Sequence, residues 1–301
     1  MTDVLTLGEA LLSLRTNGPL TGAWQARAHV AGAESNVAIG LARLGHSVAW
    51  LGCVSDDPVG DWVATTLAEE GVDTSLVRRA AGFPGAMVLL DPDDHARRAV
   101  YLRAGSAGAQ LGPADVAAAW TVAPRVVHLS GITPALGPSA AEAWLAAAQG
   151  AAEHGAMLCL DVNHRPALWS AEAARAALAG VLYAVTILVA STDELPLVAS
   201  GAEGDAVREL LARGVAEVVV KRGAAGASVF VPDGATHVAA PKVGAVDVIG
   251  AGDALGAGYL SGRLDGLTPA DALGRGVQVA SRAVAVAGDW EGLPRRADLD
   301  A

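Results

Sequence analysis

Near the C-terminus, Val246-Asp247-Val248-Ile249-Gly250-Ala251-Gly252-Asp253 sets one carboxylate directly after a turn of small residues and at the head of an alanine- and glycine-rich segment. Backbone N–H groups at a helix start have no partner within the helix, and the helix dipole favours negative charge there. A phosphate resting on Gly250, Ala251 and Gly252 would leave Asp253 facing the group that attacks it. Asp253 is therefore the candidate general base, ionised at neutral pH with a reference pKa of about 3.9. The plain alternative is a helix start whose small residues serve only close packing. A dinucleotide fingerprint does not fit, because the turn reads G-x-G-x-x-x-G, lies far from the first strand and would press Asp253 against a pyrophosphate. No G-x-x-x-x-G-K-[ST] occurs, so this is not a P-loop protein.

Other reactive residue types carry less. Cys53 and Cys159 lie in the apolar runs WLGCV and MLCLD, outside any CxxC pair, and read as two buried thiols in a reducing compartment. His128 sits in the apolar run Val126 to Leu129 and reads as a satisfied core histidine. The seven Trp residues are scattered and form no platform for stacking bases. A net charge of -11 argues against a nucleic-acid partner, which would require clustered Lys and Arg. The N-terminus, Met-Thr-Asp-Val, lacks the basic flank and apolar core of a signal peptide, and the longest uncharged run, Ala176 to Thr192, contains Gly180, Tyr183 and Thr186. The expectation is a cytoplasmic protein with no membrane segment.

The elements that must position these residues alternate. Val4 to Leu7 reads as a strand, Ser35 to Leu44 as a helix, and Ser47 to Val54 as a second strand. Strand-length apolar runs recur at Arg125 to Leu129, Met157 to Asp161, Thr186 to Val189 and Glu217 to Lys221. Helical patterns separate the later ones, at Ser139 to His154, Ala171 to Tyr183 and Asp205 to Arg213. This order implies an α/β fold with a doubly wound, mostly parallel sheet and helices on both faces. With 301 residues, 52% of them hydrophobic, one domain spanning 1–301 suffices. Segments 12–31 and 83–104 break the rhythm and read as a small β lid over the C-terminal edge of the sheet, where open α/β sheets bind ligands.

D-x-x-G-A-G-D followed by a small-residue helix resembles the signature of the ribokinase-like sugar kinases, the phosphofructokinase B family. Ala31-Gly32-Ala33-Glu34-Ser35-Asn36-Val37-Ala38 is similar to that family's sugar-binding G-G-x-x-x-N-x-A element, with Ala33 in place of the second glycine. The Lys221-Arg222-Gly223-Ala224-Ala225-Gly226 turn is similar to its K-x-G-x-x-G segment, and Ser191-Thr192-Asp193-Glu194 to its N-x-x-E motif with Ser191 replacing Asn. Tyr101 to Ala107, Asp161 to Trp169 and Gly288 to Pro294 resemble one branch, the 2-keto-3-deoxygluconate kinases. The resemblance implies that Gly32, Ala33, Glu34, Asn36, Met87, Tyr101, Arg103, Arg165, Asp253 and Asp289 border a sugar acid. It places Asn163, Arg165, Ser191, Lys221, Gly223, Gly226 and Gly250 to Gly252 near ATP, with Glu194 ordering Mg2+ through water. It also implies a monovalent cation such as K+ near Asp247.

Chemistry agrees at two positions, since Arg103 and Arg165 offer planar forks of donors suited to a carboxylate. The activity expected is ATP-dependent phosphorylation of a primary hydroxyl, with 2-keto-3-deoxygluconate as substrate and a homo-oligomer formed through the lid. A fructokinase or other neutral-sugar kinase is the nearest alternative. A nucleoside kinase would need aromatic or apolar walls for a base in the lid, where Phe83 is the only Phe, and a catalytically silent sugar-binding protein would not need Asp253.

Overall fold

The computed structural model describes residues 2–91 and 99–299. Among these, the main sheet has eight strands in the spatial order Gly234–Val238, Ala227–Val231, Glu217–Lys221, Val185–Ser191, Met157–Asp161, Val126–Ser130, Val4–Leu7 and Val48–Leu51. Every neighbouring pair from Glu217–Lys221 to Val48–Leu51 is parallel, and the two strands at the other edge are antiparallel. The parallel strands read as continuous apolar runs because both faces are covered. Leu158, Leu160, Val218 and Val220 pack on one side with Trp144, Ala147 and Leu210, whereas Cys159, Val189 and Val219 pack on the other with Ile39, Tyr259 and Leu273. His128 is a core residue, its ring nitrogen bonded to Thr6 at 3.0 Å, and burial pushes its pKa down to about 4. Both thiols are free and buried, and burial lifts Cys53 to about 12. No helix among the described residues is long and apolar enough to cross a membrane.

Two expected elements change shape. The run Ser47 to Val54 is two strands, Val48–Leu51 in the main sheet and Cys53–Ser55 paired with Arg78–Ala80, separated at Gly52. There the backbone lies so close over the Trp50 ring that a Cβ would sit 2.2 Å from it. The helix from Ala171 stops at Ala179, capped by Gly180, and a short 3₁₀ turn follows. Helices Pro58–Glu69 and Pro269–Ala283 add to the expected set. Each begins with Pro after a capping side chain, Asp57 accepting from Val59 and Gly60, and Thr268 accepting from Asp271.

A second sheet runs Ala26–Ala31, Leu11–Thr16, Ala86–Leu90 and Val100–Leu102. It draws on both segments read as the lid, although 92–98 of the second lie outside the described residues, as do 1, 300 and 301. Three contacts with one loop fasten this sheet to the body: Arg15 with Asp289, His29 with Glu291, and the Trp290 indole N–H with the Val30 carbonyl at 2.8 Å.

Candidate active site

The parallel strands deliver polar residues to their C-terminal ends. Glu9 follows Val4–Leu7, Thr133 follows Val126–Ser130, Asn163 and Arg165 follow Met157–Asp161, Glu194 follows Val185–Ser191, and Lys221 ends Glu217–Lys221. Two cavities open there. The smaller, about 120 Å³, is walled by Glu9, Gly32, Ala33, Glu34, Asn36, Tyr101, Arg103, Arg165, Gly250, Asp253 and Asp289, with Leu11, Val88 and Leu90 from the small sheet. The larger, about 490 Å³, is walled by Lys221, Gly223, Gly226, Ala251 and Gly252, and otherwise mostly by apolar residues such as Leu255, Val277 and Val284. The Gly250-Ala251-Gly252-Asp253 turn is thus a shared wall, presenting Gly250 and Asp253 to one cavity and Ala251 and Gly252 to the other.

Gly250 caps the helix Ala251–Leu264 with a left-handed φ of 78°, a conformation that costs glycine nothing. The Ala251 N–H bonds the Val248 carbonyl at 3.3 Å, whereas the N–H groups of Gly250 and Gly252 have no partner among the described residues. Asp253 is almost wholly buried and accepts from the Asn36 amide at 2.8 Å. Burial drives its pKa up to about 6, with the Asn36 hydrogen bond opposing. The other amide atom of Asn36, Oδ1, is buried without a partner. Glu34 accepts from the Thr133 hydroxyl at 2.6 Å, and burial raises it to about 7.

The two arginines differ. Arg103 is already paired with Glu9 at 2.6 Å, whose other oxygen takes the Ser106 hydroxyl at 2.5 Å. Arg165 is exposed, and its only hydrogen bond among the described residues is to the neighbouring His164 carbonyl at 3.4 Å. Glu9 and Arg15 were not singled out in the sequence. Glu9 carries a readable signal, a carboxylate two residues past the first strand at the ligand-binding edge.

On the other side, Lys221 donates to Asp161 at 2.7 Å and lies 3.8 Å from Glu194. Burial alone would lower the ammonium, but Asp161 and Glu194 hold it above its ordinary value. Glu194 accepts from the N–H groups of His164 and Ser191 at 2.8 and 2.7 Å. Burial alone would raise this carboxyl, yet Lys221 and those N–H groups keep it below the ordinary range. Its remaining lone pairs suit a metal-bound water rather than direct ligation, so the residue fits an indirect role for Mg2+. Asn163 holds a left-handed φ of 41° beside this cluster, and neither it nor Ser191 is part of the larger cavity's wall.

Met87 does not border the smaller cavity. Its strand alternates, and Met87 pairs in register with Leu102 on the outer face while Val88 pairs with Tyr101 on the cavity face.

A family model, described as pfkB family carbohydrate kinase, matches residues 1–296. The chain belongs to the pfkB family of carbohydrate kinases. It is 36% identical over 302 residues to a 2-dehydro-3-deoxygluconokinase of Thermoproteus tenax, covering 98% of this chain and 92% of that one. Among solved structures, a putative ribokinase II from E. coli in complex with ATP and Mg2+ superposes with a TM-score of 0.93 at 25% identity, covering 100% and 98% of the two chains. A fructokinase double mutant from Vibrio cholerae in its fructose, ADP and potassium ion bound form gives 0.85 at 25% identity, covering 100% and 97%. Like its pfkB relatives, this chain is a phosphotransferase that acts on a sugar, on the ribokinase-like α/β fold.

Proposed function

We propose that this protein is a cytoplasmic, ATP-dependent sugar-acid kinase that converts 2-keto-3-deoxygluconate to 2-keto-3-deoxy-6-phosphogluconate. The observation that carries this reading is the shared wall, which puts Asp253 and an unpaired arginine, Arg165, on the smaller cavity while backbone amides back onto the larger one. ATP, with Mg2+, supplies the phosphoryl group from the larger cavity. Asp253 takes the proton of the primary hydroxyl as its oxygen bonds to the γ-phosphorus; the bond from that phosphorus to the bridging oxygen breaks, and ADP leaves. The amides of Gly250 and Gly252, with the helix dipole, hold the charge of the transferring group. The sugar's hydroxyls find an acceptor in the orphaned Oδ1 of Asn36. The small sheet covers the sugar and excludes water.

The relatives named as 2-dehydro-3-deoxygluconokinases support the acid as substrate, and the arginines supply its physical basis. Arg103 is neutralised by Glu9, so Arg165 is the guanidinium left to grip a carboxylate. Arg165→Ala is expected to raise KM for the sugar acid about 10- to 100-fold, matching roughly 1.5–3 kcal/mol for a charged hydrogen bond, with little change for fructose. Steady-state kinetics on 2-keto-3-deoxygluconate, fructose, ribose and adenosine decide this. Equal effects on acid and neutral sugars would refute the carboxylate grip, and faster turnover of fructose by the wild type would favour the neutral-sugar alternative.

The same reading includes a homo-oligomer. The outer face of the small sheet leaves Val100 46% and Leu102 58% exposed beside half-buried Leu14, Met87 and Leu89, an apolar face that a second copy would cover. Leu102→Glu is expected to yield a monomer by light scattering. A monomeric wild type would overturn this assignment.

A further inference from the structure

The family resemblance implies a monovalent cation near Asp247, yet the residues present here do not fit one. Asp247 is buried and its oxygens are taken: Oδ1 accepts from Ile249 N–H at 3.0 Å, and Oδ2 from Gly288 N–H at 3.3 Å and from the Arg15 guanidinium. The other arm of Arg15 donates to Asp289 at 2.7 Å. Arg15 reaches this point from the small sheet, on the same face of its strand as Leu11, and its side chain is only 11% exposed. Burial alone would lower the guanidinium's pKa, but Asp289 and Asp247 hold it above the ordinary value. A metal ion would have to displace this fork from Asp247 or sit beside its charge away from water, where like charges repel strongly.

We propose that Arg15 is the chain's own cation at this position, and that it makes turnover independent of any monovalent metal. Its effect is positional. Asp247 binds Ile249 N–H, one residue before Gly250, so the carboxylate fixes the backbone that aims the free amides at the transferring phosphoryl group. An ionised Asp247 with no counter-charge would repel that group and strain against Asp289. Arg15 cancels the charge and ties both acidic loops to the small sheet at once. The inference rests on membership of the kinase family, not on the identity of the sugar.

The test compares potassium chloride with choline chloride at equal ionic strength, reading thermal melting of the free protein and turnover with ATP, Mg2+ and the best sugar of the panel. The wild type is expected to melt at the same temperature and turn over within about twofold in the two salts, since its cation is covalently supplied. Arg15→Met in choline is expected to lose turnover about 10- to 100-fold, on the scale of disturbing one charge-stabilising donor, and to regain part of it, together with a higher melting temperature, in potassium only. Arg15→Lys, which keeps the charge, should turn over in choline well above Arg15→Met. The proposal is overturned if potassium stabilises or activates the wild type several-fold over choline. It is equally overturned if Arg15→Met keeps wild-type turnover in choline, or if Arg15→Lys falls as far as Arg15→Met. If Arg15→Met does not fold, the wild type and Arg15→Lys decide. If no sugar is phosphorylated in either salt, the substrate assignment fails, and the melting comparison still judges Arg15.

Discussion

Asp253→Asn is expected to lower kcat by about 10³- to 10⁴-fold while making the free protein more stable. The first half follows from the proton that the attacking hydroxyl must shed. Among the acids on the smaller cavity, Asp253 is the one that follows the free amides, and an amide in its place cannot accept that proton. The second half follows from burial, which raises the carboxyl from 3.8 to about 6. Between those two pH values the folded protein holds a proton that the unfolded chain has released, so stability falls as pH rises through that window and stays lower above it. A lift of about two units corresponds to roughly 3 kcal/mol at neutral pH, which the neutral asparagine does not incur. Asn36 still has an oxygen to donate to, so the contact at 2.8 Å survives the substitution. Melting curves at pH 7.5 should rise on the order of 5 °C relative to wild type. In the wild type, kcat/KM should fall about tenfold per pH unit below about pH 6, as Asp253 takes up its proton. Near-native turnover in the asparagine variant would remove Asp253 from the mechanism. An unchanged melting temperature would mean that the carboxyl is less buried in solution than its surroundings indicate.

What could be read from the sequence, and what could not, divides along the range of the interactions. Strands buried on both faces announce themselves as unbroken apolar runs, so Met157–Asp161 and Glu217–Lys221 are legible to the residue. The turn before Asp253 is equally legible, because its small residues and carboxylate act over four consecutive positions. The face of a lid strand is not. Ala86-Met87-Val88-Leu89-Leu90 is apolar throughout, so no alternation tells which residues look inward, and pairing with Leu11–Thr16 and Val100–Leu102 decides it. Arg15 illustrates the longer limit. It stands among leucine, serine and threonine, and the two carboxylates that define it lie 232 and 274 positions away. Arg103 was legible as a cation near the sugar but not as one already paired, because its partner Glu9 belongs to the first strand's end. The capping signals at Asp57-Pro58 and Thr268-Pro269 were present in the sequence, and the helices they open are found in the structure.

Gly250→Ala is expected to cost about 10²- to 10³-fold in kcat, because it breaks the geometry on which the free amides depend. A left-handed φ of 78° disfavours any residue with a Cβ, by about 1–2 kcal/mol. The larger obstacle is contact: a Cβ at Gly250 would lie 2.1 Å from the Asp289 carbonyl oxygen, and backbone cannot rotate away as a side chain can. One of two segments must then move. If the turn yields, the Gly250 and Gly252 amides leave their aim. If the loop 288–291 yields, Asp289 and Trp290 pull on Arg15 and Val30, and the small sheet shifts over the sugar. Either displacement lowers kcat, and only the second also raises KM for the sugar, so the kinetic split reports which segment gave way. Nucleotide affinity should change little, because the glycines after Lys221 and the apolar walls of the larger cavity are untouched. Gly256→Ala is the matched control. It lies in the same helix with nothing within 4 Å of its would-be Cβ, and exchanging glycine for alanine in a helix interior should stabilise by roughly 0.5–1 kcal/mol without loss of turnover. Equal behaviour of the two alanine variants would show that the turn tolerates displacement, and would take the role of holding the phosphoryl charge away from Gly250 and Gly252.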